Sequence, residues 1–577
     1  MLALVILSIL LTWLLCGAVC IGSGSLLLRA LRFPFSPLEA FWTGLALITG
    51  ILQLYHFFRP IDFIAPLLVL TLGLGGWVWN RVSLLEQLRE LRTTQLAAVL
   101  LFIPVAVVIA FRAAGPCEHY DTGLYGASAI RWITTYPMVP GLANLLGQFG
   151  FHSSTFLCMA LLGHGPWSGF AHHLFDSFLI AALLAAIIPA GVRIYRSVNV
   201  SAHDWFLTLL FIPAAIWAST GKIVGANTDL PNSVICLAAA AMLFRGLGEV
   251  TSEQGANDSH SMSLFVATLL FSTAVTFKIS SIVFASVGWT VAGLELWLRS
   301  RREPEDKSFL AKAVIVSSLI LIPWMGRGLI LTGYPFFPST ALSIPVDWKV
   351  PAADAQSQAD FARSFARVPE LTYANARGWQ WLRPWFRELV REREGFLIPL
   401  FFAMAGSIFV VLRARRKEKG DPHPRWLWVL VPSLGGLVFW FLEAPAIRFG
   451  EPVIWTAGAT LGTFAALQLL DRPGETRIAL CGLLLVTGWA AHPRLLWGSY
   501  FRPSLGVRTF LRLPEAKLAP HQTSSGLTIN MPVDTNQCWD APLPCSPYIS
   551  DRLRLRRPDD LKHGFVAEIS RTSSKPE

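Results

Sequence analysis

The sequence predicts an all-α polytopic membrane protein with about fourteen transmembrane helices. Three observations carry this. The chain is 53% hydrophobic and only 15% charged over 577 residues, where a soluble chain of this length carries more charge. Apolar runs of membrane-spanning length, ~20 residues, recur along it. The most basic loops fall on one side of these runs once they are counted through.

In order, the runs cover 2–28, 37–58, 63–80, 94–112, 169–192, 204–220, 231–248, 262–278, 280–298, 309–326, 396–414, 425–444, 453–470 and 475–492. The first has no basic residue ahead of it and no small-residue cleavage site, so it reads as a retained span. RVSLLEQLRELR (81–92), RSRREPEDK (299–307) and RARRKEKGDPHPR (413–425) share a side with Arg29, Arg32, Arg193 and Arg196. The positive-inside rule makes that side cytoplasmic.

The expected divisions are N-terminal spans over 1–112, a first large exoplasmic loop over 113–168, central spans over 169–339, an exoplasmic insert over 340–395, C-terminal spans over 396–492, and an exoplasmic tail over 493–577. The net charge of +11 does not point to nucleic acid, because much of it sits in loops that set orientation and no zinc-finger or basic-aromatic RNA motif occurs. Cys16, Cys20, Cys158, Cys236 and Cys481 lie in or near apolar runs as packing thiols. Cys538 and Cys545, seven residues apart on an oxidising side, read as a small disulfide loop, with free thiols as the alternative. In the insert, Trp381, Trp385 and Leu389 share one side of a helix and Arg383, Arg387 and Arg391 another, the pattern of an interfacial helix.

The loop 113–168 concentrates polar groups: Glu118, His119, Asp121, Tyr125 and Arg131. Leu124, Ala127, Ile130 and Ile133 recur in steps of three, a short helix that Pro137 and Pro140 end. Asp121 stands at its N-cap, with Tyr125 one turn on. An Asp before a helix is commonly only a cap. The loop is long, however; the semi-apolar FHSSTFLCMALLG that follows looks re-entrant or interfacial, and a second acidic turn, NTDLP, lies on the same side. Asp229 in that turn is either a second functional carboxylate or a turn residue capping the next helix, which Pro231 would also suit.

An acidic residue in the first large exoplasmic loop, followed by a short helix containing Tyr, resembles the polyprenyl-phosphate-sugar-dependent glycosyltransferases of the GT-C fold. These include the protein mannosyltransferases, lipid A aminoarabinose transferases and oligosaccharyltransferases. HYDTGLYGASAIRWITTYPMVPGLANLLGQFGFHSS, NTDLP, RGLILTGYPFFPS, APAIRF and CWDAPLPCSPY are also similar to a largely uncharacterised bacterial family of multi-spanning membrane proteins. The first resemblance implies that the loop carboxylate is a catalytic base or a ligand of a divalent metal ion. That role falls on Asp121, with Glu118 second. The chain differs in having three further spans before the loop, and in spacing its acids as E-H-Y-D where the family has an adjacent pair.

Such a transfer needs a base for the acceptor proton and cations or a metal for the leaving phosphate. Asp121 is the expected base and Asp229 the second carboxylate. Lys278, Arg327 and Arg448, at span ends on the exoplasmic side, are the expected phosphate cations, each alternatively an interface anchor. Tyr125 and Tyr334 are the expected sugar or phosphate contacts. His152, His172 and His173 are not taken as metal ligands, since adjacent His172 and His173 would point apart on a helix. No phosphate-binding P-loop and no G-x-S-x-G elbow occurs.

The expectation is a hexosyl- or pentosyltransferase of the bacterial cytoplasmic membrane. It would take a lipid-linked sugar donor among membrane lipids, with its active face periplasmic. The rivals are a transporter or lipid-linked glycan flippase, whose key charges would lie mid-span, and a non-enzymatic envelope assembly factor that needs no Asp121.

Overall fold

All fourteen apolar runs are helical. The computed structural model describes residues 2–83, 93–117, 119–248, 254–302, 307–368, 378–415, 424–470, 472–497 and 512–567. The apolar helices are α1 (Leu2–Ala30), α2 (Pro37–Phe58), α3 (Ile64–Trp79) and α4 (Thr93–Ala113). Within the opening segment lie α5 (Ala127–Thr135) and α6 (Thr155–Leu162). Then come α7 (Phe175–Arg196), α8 (Ala202–Leu209), α9 (Phe211–Ser219), α10 (Asp229–Gly246), α11 (Gln254–Phe277), α12 (Ile282–Arg302) and α13 (Lys307–Thr332). The insert contributes α14 (Ala352–Arg367) and α15 (Leu382–Leu389), and the chain continues with α16 (Ile398–Arg415), α17 (Leu430–Glu443), α18 (Ile447–Leu469) and α19 (Pro473–Trp497). Among the described residues ten helical stretches are long and apolar enough to cross a membrane, and α3 is a shorter apolar helix. The protein is a multi-pass membrane protein. The run 204–220 is broken at Leu210, where Pro213 removes a donor from the first turn of α9.

Lipid tails are as apolar as leucine, so helices here associate through close packing rather than burial from water. Glycine permits that approach between α1, α2 and α3. A Cβ on Gly24 would lie 1.8 Å from the Ala40 carbonyl oxygen, one on Gly44 1.8 Å from that of Cys20, and one on Gly76 1.7 Å from that of Gly22. Helices α10 and α11 are buried on nearly every side, which explains their all-round apolar sequence.

Among the described residues, basic side chains at the helix ends next to these loops gather at one end of the bundle. There Arg245 pairs with the fully buried Glu39 at 2.5 Å, Arg299 and Arg425 both pair with Glu295, and Arg193 pairs with Asp204 at 2.5 Å. The opening segment, the insert and the tail lie at the other end. Backbone bonds bolt the opening segment to the helix ends around it: Ile61 N donates to Ile133 O (2.9 Å), Met138 N to His56 O (3.1 Å), Gly141 N to Ile330 O (2.9 Å) and Ser154 N to Thr276 O (2.9 Å). Helix α6 turns back into the bundle, and its first six residues are buried.

The tail departs from an all-α reading. It holds two antiparallel strand pairs, β1 (Leu518–Gln522) with β2 (Thr528–Pro532) and β3 (Leu553–Leu555) with β4 (Phe565–Ala567). These strands are three to five residues long, and Pro520 and Pro532 sit within them, so no period-2 apolar pattern announces them. A disulfide joins Cys538 and Cys545.

Candidate functional site

The short helix begins on Tyr120 and Asp121, passes through a wide π turn at Thr122–Gly126 and continues as α5. It lies directly on the ANTDLP turn. Thr122 Oγ1 accepts from Ala226 N (2.9 Å), and a Cβ on Gly126 would lie 2.4 Å from Ala226 O. Gly225 holds φ +144°, a conformation that favours glycine. The two acidic segments are thereby locked together.

Neither acid caps its helix. Asp121 makes no side-chain cap bond. At α10 the capping acceptor is Asn227, whose Oδ1 receives Leu230 N at 3.0 Å. Asn227 is held in turn by the fully buried Asp176, to whose Oδ2 its Nδ2 donates at 2.5 Å. Asp229 is thus free to pair with Lys278, which turns inward to it rather than reaching to the surface. Arg448, at the start of α18, stands between the acids, 3.6 Å from Asp121 Oδ2 and 3.8 Å from Asp229 Oδ2. Phe449 packs under both cations, its ring centroid 4.0 Å from Lys278 Nζ and 4.8 Å from the Arg448 guanidinium carbon.

Asp121, Asp229, Lys278 and Arg448 therefore converge from four separate segments. Tyr125 stands beside them, edge-on to Phe156. Burial, then the Asp121 charge, push its phenol above the ordinary range. Glu118 lies outside the described residues. Arg327 and Tyr334 do not join the cluster. Arg327 is buried elsewhere, with Nη1 donating to Ser154 Oγ at 3.2 Å. Tyr334 is 1% exposed and donates its hydroxyl to Val350 O at 3.0 Å, which makes it a clip for the insert rather than a sugar contact.

Three further groups surround the cluster. Lys222 pairs with Glu451 at 3.4 Å, and Glu451 also accepts from Trp217 Nε1 at 2.9 Å. His119 lies beside Thr122, with Nδ1 and Oγ1 3.3 Å apart. Burial pushes its imidazole below the ordinary range; Arg448, Lys222 and Lys278 add to this and Asp121 opposes it. His119 sits in the quoted opening segment, but a pair such as Lys222 and Glu451, 229 residues apart, has no local signature.

His172 and His173 do not point apart. They share a tight turn, Ala171–His173, with ring centroids 4.1 Å apart. Among the described residues no group of three or more His, Cys, Asp or Glu side chains is placed to hold a metal ion. Asp121 and Asp229 each face a cation instead.

The insert and tail cover this end. Arg363 of α14 pairs with Glu443 at 2.6 Å, and Trp385 Nε1 donates to Pro445 O at 2.7 Å, which clamps the turn leading to Arg448. Phe365 lies 5.6 Å from the Arg448 guanidinium carbon. From the tail, Gln537 Nε2 donates to Tyr120 O (3.0 Å), Trp539 N to Gly123 O (2.8 Å) and Arg131 Nη1 to Asp540 O (2.6 Å).

A family model described as Domain of unknown function (DUF8201) matches residues 6–455. The chain belongs to this family. The matched region of DUF8201 holds Asp121, Asp229, Lys278 and Arg448, and ends ahead of the disulfide tail. No curated protein and no solved structure matches the chain.

Proposed function

We propose that the protein is an integral-membrane glycosyltransferase of GT-C type with about fourteen spans. It moves a sugar from a polyprenyl-phosphate carrier to a glycan, lipid or protein acceptor. It resides in a bacterial cytoplasmic membrane with the cluster facing the periplasm. The observation that carries the reading is the meeting of Asp121, Asp229, Lys278 and Arg448 at one end of the bundle. The disulfide on that same end suits an oxidising compartment.

Among the described residues of the cluster, Asp121, Asp229 and Glu451 face Lys222, Lys278 and Arg448. The Arg448 contacts are long, 3.6 and 3.8 Å, so a phosphate offering a charge-assisted bidentate contact competes well for the guanidinium. Arg448 then moves its charge onto the leaving phosphate. Asp121, released from it, takes the acceptor's proton as the new C–O bond forms at the anomeric carbon and the bond to phosphate breaks. Asp229 holds Lys278 in position to share the charge that develops on the phosphate. Among the described residues Asp121 and Asp229 are matched by cations rather than grouped as metal ligands, and the steps above are carried by these side chains.

The test uses purified protein in lipid with a pool of polyprenyl-phosphate sugars. Acceptor-dependent release of carrier phosphate is expected from the native chain. It should fall by roughly 10²–10⁴-fold in Asp121→Asn, the gain typical of a positioned acid–base group. Donor binding without release, unchanged by Asp121→Asn, would point to a transporter or assembly factor instead.

A further inference from the structure

Arg327 stands in PWMGRGLIL near the end of α13 and is 2% exposed. Its Nη1 donates to Ser154, but its Nε has no protein partner, and among the described residues no carboxylate lies within ion-pairing distance. A buried guanidinium without a counter-charge is costly, more so at membrane depth. Arg327 lines a cavity of about 40 Å³ beneath α5, together with His56, Ala129, Trp132, Gln148 and His152.

Several other polar groups of the lining are unsatisfied too, although Ser153 is bonded to Phe277 O and Thr155. His152 is 5% exposed, and neither ring nitrogen has a protein partner. The same holds for Trp132 Nε1, Gln148 Oε1 and His56 Nδ1. The sequence makes room for this arrangement: a Cβ on Gly328 would lie 2.8 Å from His152 Nε2. Burial, then the Arg327 charge, push the His152 imidazole down to about 3, so it is neutral and has one N–H to donate.

One water occupies roughly 10–15 Å³ on this measure, so the cavity takes a few waters or one small group. Water can satisfy an indole or an imidazole, but it leaves the guanidinium charge unmatched. An oxyanion does both. The rest of the lining is mainly apolar, from Ile133 and Val139 to Phe156 and Leu331, which suits an anionic head with little else attached. Helix α5 separates this cavity from the carboxylate–cation cluster: Asp121 and Tyr125 precede the helix on the cluster side, while its Ala129, Trp132 and Ile133 line the cavity. We infer that the cavity is a second binding site, for a single carboxylate or phosphate group held by Arg327 with donation from Trp132 and His152.

The test is thermal unfolding of the full chain in phosphatidylcholine nanodiscs. Inorganic phosphate and acetate are titrated against chloride at equal ionic strength, and a parallel set of discs carries phosphatidic acid. A bound anion at ten times its Kd should raise Tm by roughly 1–3 °C. The rise should disappear in Arg327→Gln and in Ala129→Leu, which fills the cavity and keeps the arginine. A rise only in the phosphatidic acid discs, abolished by Ala129→Leu, assigns the same anion chemistry to a lipid headgroup. If no anion raises Tm above chloride, or if the rise survives Ala129→Leu, the inference is overturned. The readout is binding, so it stands or falls separately from the transferase reading.

Discussion

Arg448 is the residue on which the cluster turns, because it forms ion pairs with both acids. Lysine keeps the charge but not the planar fork that reaches two carboxylates. Arg448→Lys should slow carrier-phosphate release by roughly 10–100-fold, the worth of one charge-assisted contact, and a steady-state assay in the same lipid would show it. His119 makes a pH prediction. Its folded imidazole titrates below the unfolded value of 6.5, so the unfolded chain binds the proton first as pH falls. Its contribution is fully present above pH 6.5 and is lost on acidification, by at most roughly 1.4 kcal/mol per pH unit. In urea unfolding followed between pH 7.5 and 5, His119→Gln should have a shallower acid-side decline than the native chain. An unchanged slope would assign the decline to other groups.

At the scale of elements, the opening helix is held from both sides. Below it lies the ANTDLP turn, and above it the disulfide loop, through Trp539 and Asp540. A Cβ on Gly123 would lie 2.7 Å from both Gln537 Nε2 and Trp539 Cε2, so the loop rests on glycine backbone. Opening the loop with Cys538→Ser and Cys545→Ser should loosen this cover while the bundle stays folded. The expected result is faster proteolytic cleavage within 512–567 and slower phosphate release. A tail as resistant to protease as the native one would show that its packing against the opening segment suffices without the bridge.

At the scale of the molecule, charge is sorted between the two ends. The paired arginines around Glu39, Asp204 and Glu295 mark one end, and the cluster, insert and tail mark the other. In a chain whose free cysteines are replaced, Ser524→Cys should react with a membrane-impermeant thiol reagent from the periplasmic side of intact cells. Asn199→Cys should react only after the membrane is opened. The reverse pattern would invert the orientation and remove the periplasmic transferase reading.

By itself the sequence determined the helical, multi-pass class, since span length and loop charge are properties of contiguous residues. It also marked the cluster residues one by one, Asp121 and Asp229 as acids in polar loops and Lys278 and Arg448 as cations at the ends of apolar runs. It could not show that they meet, because they lie on four segments whose proximity depends on how α5, α10, α11 and α18 pack. Only the tertiary structure set Arg327 and Tyr334 apart from them, gave the capping work to Asn227, and paired Lys222 with Glu451. The short strands of the tail were equally hidden, because their partners and their contact with Gly123 are long-range. Local pattern reports what a segment can form, whereas a site assembled from distant segments exists only once the helices have chosen their neighbours.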